Sequence, residues 1–181
     1  MSRKKVIVKR LNAIQNFGAM DTLCADKTGT LTQDKVILEK HVDITGKEDE
    51  HVLELAYLNS HYQSGLKNLL DNAVLEHVEV HRKLHELDEY RKIDEIPFDF
   101  ERRRMSVIVQ KGESSNLLNC KGAVEELLHV CDRYREGDRV MPLESAHMED
   151  ASRIVKALNS EGFRVIAVAY REVTREHGVY E

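Results

Sequence analysis

The segment that most constrains the fold is an apolar run that ends in a polar, glycine-containing loop, MDTLCAD followed by KTGTLT. The preceding RLNAIQNFGAM has apolar residues near helical spacing and a closing glycine, so it predicts a short helix. No later βα repeats follow that would complete a parallel sheet around this helix and strand. Because a single βα unit cannot cover both faces of its strand, we expect residues 1–34 to belong to a domain that continues outside the sequence.

The rest of the chain, residues 35–181, predicts an α+β fold in which helices flank one mostly antiparallel sheet. KVILEKHVDITG is expected to be extended up to a turn at Gly46, and helical spacing continues from Glu48 to about Glu95. RRRMSVIVQKGESSNLLNCKGA predicts a β-hairpin. Helices are predicted for VEELLHVCDRYREG, ending at Gly137, and for ESAHMEDASRIVKALNSEG; a strand is predicted for FRVIAVAYREV.

Composition excludes several classes of protein. The 181 residues can form one sizeable core, or one domain plus a fragment of another. A formal net charge of −5 argues against a nucleic-acid-binding protein. The three cysteines have no CxxC spacing, which is typical of reduced thiols in the cytosol. No apolar run approaches the roughly 20 residues that span a bilayer, and the basic N-terminus lacks the other parts of a signal peptide.

The loop DKTGT has the residue types that phosphoryl transfer requires. An aspartate at the carboxyl end of a buried strand, here Asp26, can attack phosphorus and form an aspartyl-phosphate. Lys27 supplies a nearby positive charge, Thr28 supplies a hydroxyl, and Gly29 lets backbone N–H groups approach a phosphoryl group. With Mg²⁺ bound, such a loop would neutralise much of the negative charge on the transferred phosphoryl group. The structural alternative is a polar turn that Asp26 caps.

The full run DKTGTLT resembles the phosphorylation signature of the P-type ATPases, ion pumps that form an aspartyl-phosphate in each cycle. The resemblance implies that Asp26 is the phosphorylated residue. It also implies that Asp26 and Thr28 hold Mg²⁺, with Thr28 giving its backbone carbonyl, and that Lys27 lies in the catalytic loop. One position departs from the family pattern, because Ala25 stands where these pumps usually have serine or threonine.

Later segments resemble the nucleotide-binding domain of the same family, in the same order. They are LKNLLDNAVLE, IPFDFERRRMSV, NCKGAVEELL (with Val124 in place of a proline) and GFRVIAVAY. The contacts that the resemblance implies for ATP are Asp71 to the adenine, Phe98 stacked on it, Arg103, Lys121, Gly122, and Arg164 to the phosphates. Taken singly, each has an ordinary reading: a helix-surface acid, a core phenylalanine, a solvated strand end, a turn or a surface charge.

Within the family, FGAMDTLCADKTGTLTQDKVILE and NSHYQSGLKNLLDNAVLE resemble most the bacterial magnesium-transporting pumps. Heavy-metal pumps are expected to carry a His-Pro pair in this domain, but neither proline here follows a histidine. The sequence does not exclude a calcium or a proton pump. The resemblance implies two parts: residues 1–34 from the phosphorylation domain and residues 35–181 as the nucleotide-binding domain. The partners would be ATP and the remaining phosphorylation, actuator and transmembrane domains. The location would be the cytoplasmic side of a bacterial inner membrane.

Two other classes of function compete with the pump. A phosphatase of the haloacid-dehalogenase type would share the nucleophilic aspartate but normally has a second acid two residues later, where this chain has Thr28. A non-catalytic interaction module is the other alternative. Separately, His77, His81 and His85 recur at helical spacing and could share a metal ion, although the surrounding charged residues favour a solvated polar face.

Overall fold

The computed structural model describes residues 18–22, 24, 35–65, 67–77, 90–112 and 116–173. The chain divides into two units, Met1–Asp34 and Lys35–Glu181, and every helix and strand described below belongs to the second. The loop DKTGTLT and most of the helix and strand predicted before it lie outside the described residues. So do His81 and His85, and the prediction that the three histidines form a solvated polar face therefore stays untested.

Four helices and six strands make up the described part of the second unit. The helices are α1 (Glu50–Tyr62), α2 (Leu69–Glu76), α3 (Val124–Val130) and α4 (Ser145–Ser160). The strands are β1 (Tyr90–Asp99), β2 (Arg104–Lys111), β3 (Asn116–Gly122), β4 (Arg133–Glu136), β5 (Arg139–Pro142) and β6 (Ala167–Val173). No helix in these ranges is long and apolar enough to cross a membrane.

The main sheet has four antiparallel strands in the order β1-β2-β3-β6, and β4 and β5 form a separate two-stranded hairpin. The predicted α+β class, a mostly antiparallel sheet flanked by helices, is therefore confirmed. Residues 105–110 of β2 are buried without interruption, so both faces of this strand are covered. Helix α1 packs against β2, β3 and β6, and α3 packs against β3 and β6.

Two predicted elements were wrong. Residues 131–137 do not continue the helix that precedes them, because α3 stops at Val130 and the chain turns back as the β4–β5 hairpin around Gly137, at φ 56°. The helical spacing expected up to Glu95 also fails, since residues 90–99 form the edge strand β1. In both places the neighbouring strand provides hydrogen bonds that local spacing does not reveal.

Glu95, which follows a β-bulge in β1, links this edge strand to Ser64, just after the end of α1. The register shifts between Lys92 and Asp94, and this puts Lys92 and Glu95 opposite Val109 and Val107 on one face. Glu95 accepts hydrogen bonds from Lys92 Nζ at 2.7 Å and from the Ser64 amide at 2.8 Å, and also from the Ser64 hydroxyl. These donors, Lys92 first, lower the pKa of Glu95 to about 2.

This depressed pKa predicts an acid-dependent loss of stability. A carboxyl group with a folded-state pKa of about 2 contributes stability above its ordinary pKa and loses it as the pH falls towards 2. The difference in unfolding free energy between the wild type and Glu95→Gln should be largest above about pH 5 and should decrease steadily below that pH. Urea denaturation across this range measures it. A difference independent of pH would contradict the described hydrogen bonds.

Candidate nucleotide-binding site

The predicted contact residues that the structure describes converge on one end of the main sheet. Strand β3 finishes there at Gly122, which pairs with Arg104 at the start of β2 and with Ala167 at the start of β6. We call this the Gly122 end. The β1–β2 turn, residues 100–103, lies there, and Arg164 precedes β6 by three residues. Segments far apart in the sequence are therefore brought together by the antiparallel register.

Lys121 and Asp71 form a buried ion pair just inside the Gly122 end. Asp71 is 0% exposed and Lys121 is 7% exposed, and Lys121 Nζ donates directly to Asp71 Oδ1. The Ser60 hydroxyl bridges them: it accepts from Lys121 Nζ at 3.0 Å and donates to Asp71 Oδ1 at 3.0 Å. The cluster therefore ties α1, α2 and β3 to one another.

The N-terminus of α2 orients the Asp71 carboxylate. Asn68 is the N-cap, and its side chain accepts from the amides of Leu70 at 2.8 Å and Asp71 at 3.0 Å. In return Asp71 Oδ2 accepts from the Asn68 amide at 3.0 Å, which completes a capping box. Asp71 thus neutralises Lys121 with one oxygen and caps the helix with the other.

Burial and pairing act in opposite directions on these two charges. Burial is the largest single influence on Asp71 and raises its pKa, but the hydrogen bond and charge of Lys121, together with further hydrogen bonds including that from the Asn68 amide, hold the pKa below its ordinary value. For Lys121 burial is the larger influence and lowers the pKa, and Asp71 offsets only part of this. Because an uncompensated charge in this position would be strongly unfavourable, the two residues depend on each other.

A second pair of polar side chains lies beside this cluster. Asn59 on α1 and Asn119 on β3 are both fully buried. The Asn59 amide group donates to the backbone oxygen of Asn119 at 3.1 Å, and Asn119 donates to that of Leu55 at 2.7 Å. The sequence reading missed Asn59 and Ser60. Each lies four residues after a buried residue of α1, so the helical period could have placed both on the buried face.

Gly122 has a packing role that is visible in the backbone. A Cβ atom on it would lie 2.6 Å from the backbone oxygen of Arg103 and 2.6 Å from Arg104 Cβ. The same Arg103 oxygen accepts from the Ala123 amide at 3.0 Å, and Arg103 itself has a positive φ of 47°. The β1–β2 turn can approach β3 this closely only because Gly122 has no side chain.

The other predicted contacts are accessible. Phe98 is 49% exposed and its ring meets that of Phe100 edge-to-face, with centroids 5.3 Å apart. The Arg103 side chain is 54% exposed and donates to Glu126 Oε1 on α3 through Nη2 at 2.5 Å. Arg164 is exposed. An exposed aromatic pair beside exposed guanidinium groups can accept an aromatic ring that carries phosphate.

The described residues contain no cluster of histidine, cysteine, aspartate and glutamate that could hold a metal ion. The predicted catalytic and Mg²⁺-binding residues, Asp26, Lys27 and Thr28, lie outside them. A shallow cleft of about 260 Å³ lies elsewhere, lined in part by Tyr134, His147 and Arg153. It contains none of the predicted contacts.

Comparison with known proteins identifies the family. The family model described as "P-type ATPase, cytoplasmic domain N" matches residues 66–179. The chain belongs to the P-type ATPases. This match also favours a pump over a phosphatase of the haloacid-dehalogenase type.

Individual relatives are similar over nearly the whole chain. "Magnesium-transporting ATPase, P-type 1" of Salmonella typhimurium (strain 14028s / SGSC 2262) is 54% identical over 181 residues, which is 100% of this chain and 20% of that protein. The protein of the same name from Escherichia coli (strain K12) is 53% identical over the same shares. "Plasma membrane ATPase 1" of Saccharomyces cerevisiae is 30% identical over 93% of this chain and 18% of that protein. The chain thus spans about a fifth of the length of these relatives.

Removing one charge of the buried pair should strongly destabilise the domain. Lys121→Met leaves the Asp71 carboxylate buried without its cation and should lower the unfolding free energy by about 3–5 kcal/mol. The double variant Lys121→Met/Asp71→Leu should recover part of this loss, because no charge is left unpaired. Urea denaturation measures both. Lys47→Met is the matched control, since Lys47 pairs with Glu136 at 2.6 Å in an exposed position and should change little. Equal losses of unfolding free energy in Lys121→Met and Lys47→Met would contradict the burial of the Lys121–Asp71 pair.

Adding a single methyl group at Gly122 should also destabilise the domain. Gly122→Ala forces the turn at Arg103 away from β3 and should lower the unfolding free energy by about 1–3 kcal/mol. Gly65→Ala is the control, because nothing lies within 4 Å of a Cβ there. Thermal unfolding of the two variants compares them, and a neutral Gly122→Ala would rule out the close approach.

Proposed function

We propose that residues 35–181 are the nucleotide-binding domain of a P-type cation-transporting ATPase and that residues 1–34 begin its phosphorylation domain. One observation carries the proposal: Phe98, Arg103 and Arg164 are all exposed, and each lies close in sequence to a strand terminus at the Gly122 end. A purine carrying phosphates needs these two kinds of partner together.

The exposed residues would make the first contacts with ATP. The adenine stacks on Phe98, and Arg103 and Arg164 approach the phosphates. Arg103 exchanges Glu126 for a phosphate oxygen when the nucleotide binds, because both are anionic acceptors of the same guanidinium donors. Binding should therefore weaken as salt rises.

Asp71, Lys121 and Gly122 would act mainly from beneath this surface. The ion pair holds β3 against the helices, and Gly122 lets the β1–β2 turn pack closely on β3. A direct contact of Lys121 with phosphate, or of Asp71 with adenine, requires the buried pair to open. Support for such contacts comes from the resemblance of LKNLLDNAVLE and NCKGAVEELL to the family's segments.

The parent protein would use this domain to deliver ATP to Asp26. The Asp26 carboxylate attacks the terminal phosphorus, ADP leaves, and water later hydrolyses the aspartyl-phosphate. Asp26 and Thr28 would hold the Mg²⁺ that neutralises charge, and Lys27 adds a positive charge in the same loop. The actuator and transmembrane domains, and the rest of the phosphorylation domain, complete the cycle. The 181-residue chain alone should bind adenine nucleotide without turning it over.

The transported ion is proposed to be Mg²⁺, because relatives at 53–54% identity carry magnesium transport in their names. Transport of another cation, such as calcium, is the alternative. The domain would face the cytoplasm at a bacterial inner membrane. A transport assay of the complete pump, with Mg²⁺ and Ca²⁺ compared, decides between the ions.

Truncating the proposed stacking ring should weaken ATP binding without unfolding the chain. Loss of a base–aromatic stack is worth about 1–3 kcal/mol, so Phe98→Ala should weaken the affinity for MgATP by about five- to a hundredfold. Isothermal titration calorimetry of the 181-residue chain measures this.

Val140→Ala provides the matched control for this titration. Val140 is also an exposed apolar residue, 54% accessible, but it lies on the β4–β5 hairpin away from the main sheet. The affinity of Val140→Ala for MgATP should equal that of the wild type. Unchanged affinity in Phe98→Ala would remove the stacking assignment.

A further inference from the structure

Phe100 is an exposed aromatic residue whose ring contacts that of the predicted stacking residue Phe98. It is 89% accessible, the highest value among the exposed large hydrophobic residues of the described ranges. It begins the β1–β2 turn at the Gly122 end, beside the predicted contact Phe98. A ring this exposed contributes nothing to the core, and together with the Phe98 ring, which it contacts, it forms a small exposed aromatic patch.

The turn presents this ring from a fixed backbone. The Asp99 carboxylate accepts from the amides of Glu101 at 2.7 Å and Arg102 at 3.0 Å, and from Arg102 Nε at 3.2 Å. The same turn is held on β3 by the hydrogen bond between Ala123 and Arg103. The backbone of the turn that carries Phe100 is therefore tied to β3.

The geometry of the two rings suits a flat aromatic ligand. Their planes are at 89° and their centroids are 5.3 Å apart. A base stacked parallel to Phe98 would be perpendicular to the Phe100 ring. Offset stacking and edge-to-face contact are the two favoured arrangements of aromatic pairs, so one base can satisfy both.

The charges of the turn narrow the class of ligand. Arg102 and Arg103 follow the aromatic pair directly, and their guanidinium groups are held by Asp99 and Glu126. A purely apolar partner would have to bury these ion pairs without replacing them. An aromatic base joined to phosphate satisfies the rings and the arginines together.

We propose that Phe100 is a second aromatic contact for the adenine base, edge-to-face with it, while Phe98 is the stacking ring. This inference rests on the proposed function. It adds a base-recognition residue that neither the sequence reading nor the family resemblance assigned.

The test compares MgATP affinities of the wild type, Phe100→Ala, Phe100→Leu and Phe100→Tyr, with Val140→Ala as the control. An edge-to-face contact predicts that Phe100→Ala and Phe100→Leu bind about two- to tenfold more weakly. Phe100→Tyr keeps the ring and should bind as the wild type does. Circular dichroism melts should be unchanged, because the side chain is exposed.

Salt dependence provides the readout that separates a base contact from a disturbed turn. The Phe100 ring carries no charge, so the loss in Phe100→Ala should be the same at low and high ionic strength. Arg103→Gln, in contrast, should lose most at low salt, where its attraction to phosphate is least screened.

Each result decides the proposal. Affinity of Phe100→Ala equal to the wild type overturns it, as does a loss that disappears at high salt or that Phe100→Tyr fails to rescue. If Phe98→Ala weakens binding while Phe100→Ala does not, the proposed function stands and only this inference falls. A wild-type chain that binds no MgATP overturns both.

Discussion

The buried ion pair between Lys121 and Asp71 is the interaction on which the rest of this domain depends. Two charges removed from water are tolerated only because each neutralises the other and Ser60 satisfies a further hydrogen bond of each. The three residues come from β3, α2 and α1. The cluster therefore ties α1 and α2 to β3 one residue before Gly122, close to the β1–β2 turn.

The pair also divides the predicted contacts into two kinds. Asp71 and Lys121 are buried and paired with each other. At Gly122, the backbone of Arg103 fills the space that a side chain would need. Phe98, Arg103 and Arg164 are exposed at the same end of the sheet. A nucleotide bound to the exposed residues would leave the buried pair and the close packing at Gly122 undisturbed, which would limit the free-energy cost of binding.

The sequence was sufficient for several elements: apolar spacing predicts the α1 and α4 helices, and two β-rich runs around a turn predict the pairing of β2 with β3. It misassigned residues 131–137 and 90–95, where pairing with a neighbouring strand overrides local helical spacing. It named Asp71 and Lys121 through resemblance, but their mutual pairing depends on how β3 meets α2, which no local pattern encodes. Phe100 was not predicted as a contact, because the resemblance of IPFDFERRRMSV to the family assigned only Phe98, two residues earlier.

The proposal on which the other functional assignments rest is that adenine nucleotide binds at the Gly122 end of the sheet. Backbone amide shifts of the isotope-labelled chain, followed by NMR as MgATP is added, would locate the bound nucleotide. We expect the largest changes at residues 98–104, 121–123 and 164. Changes centred on the Tyr134 and His147 cleft, or none at millimolar MgATP, would contradict it.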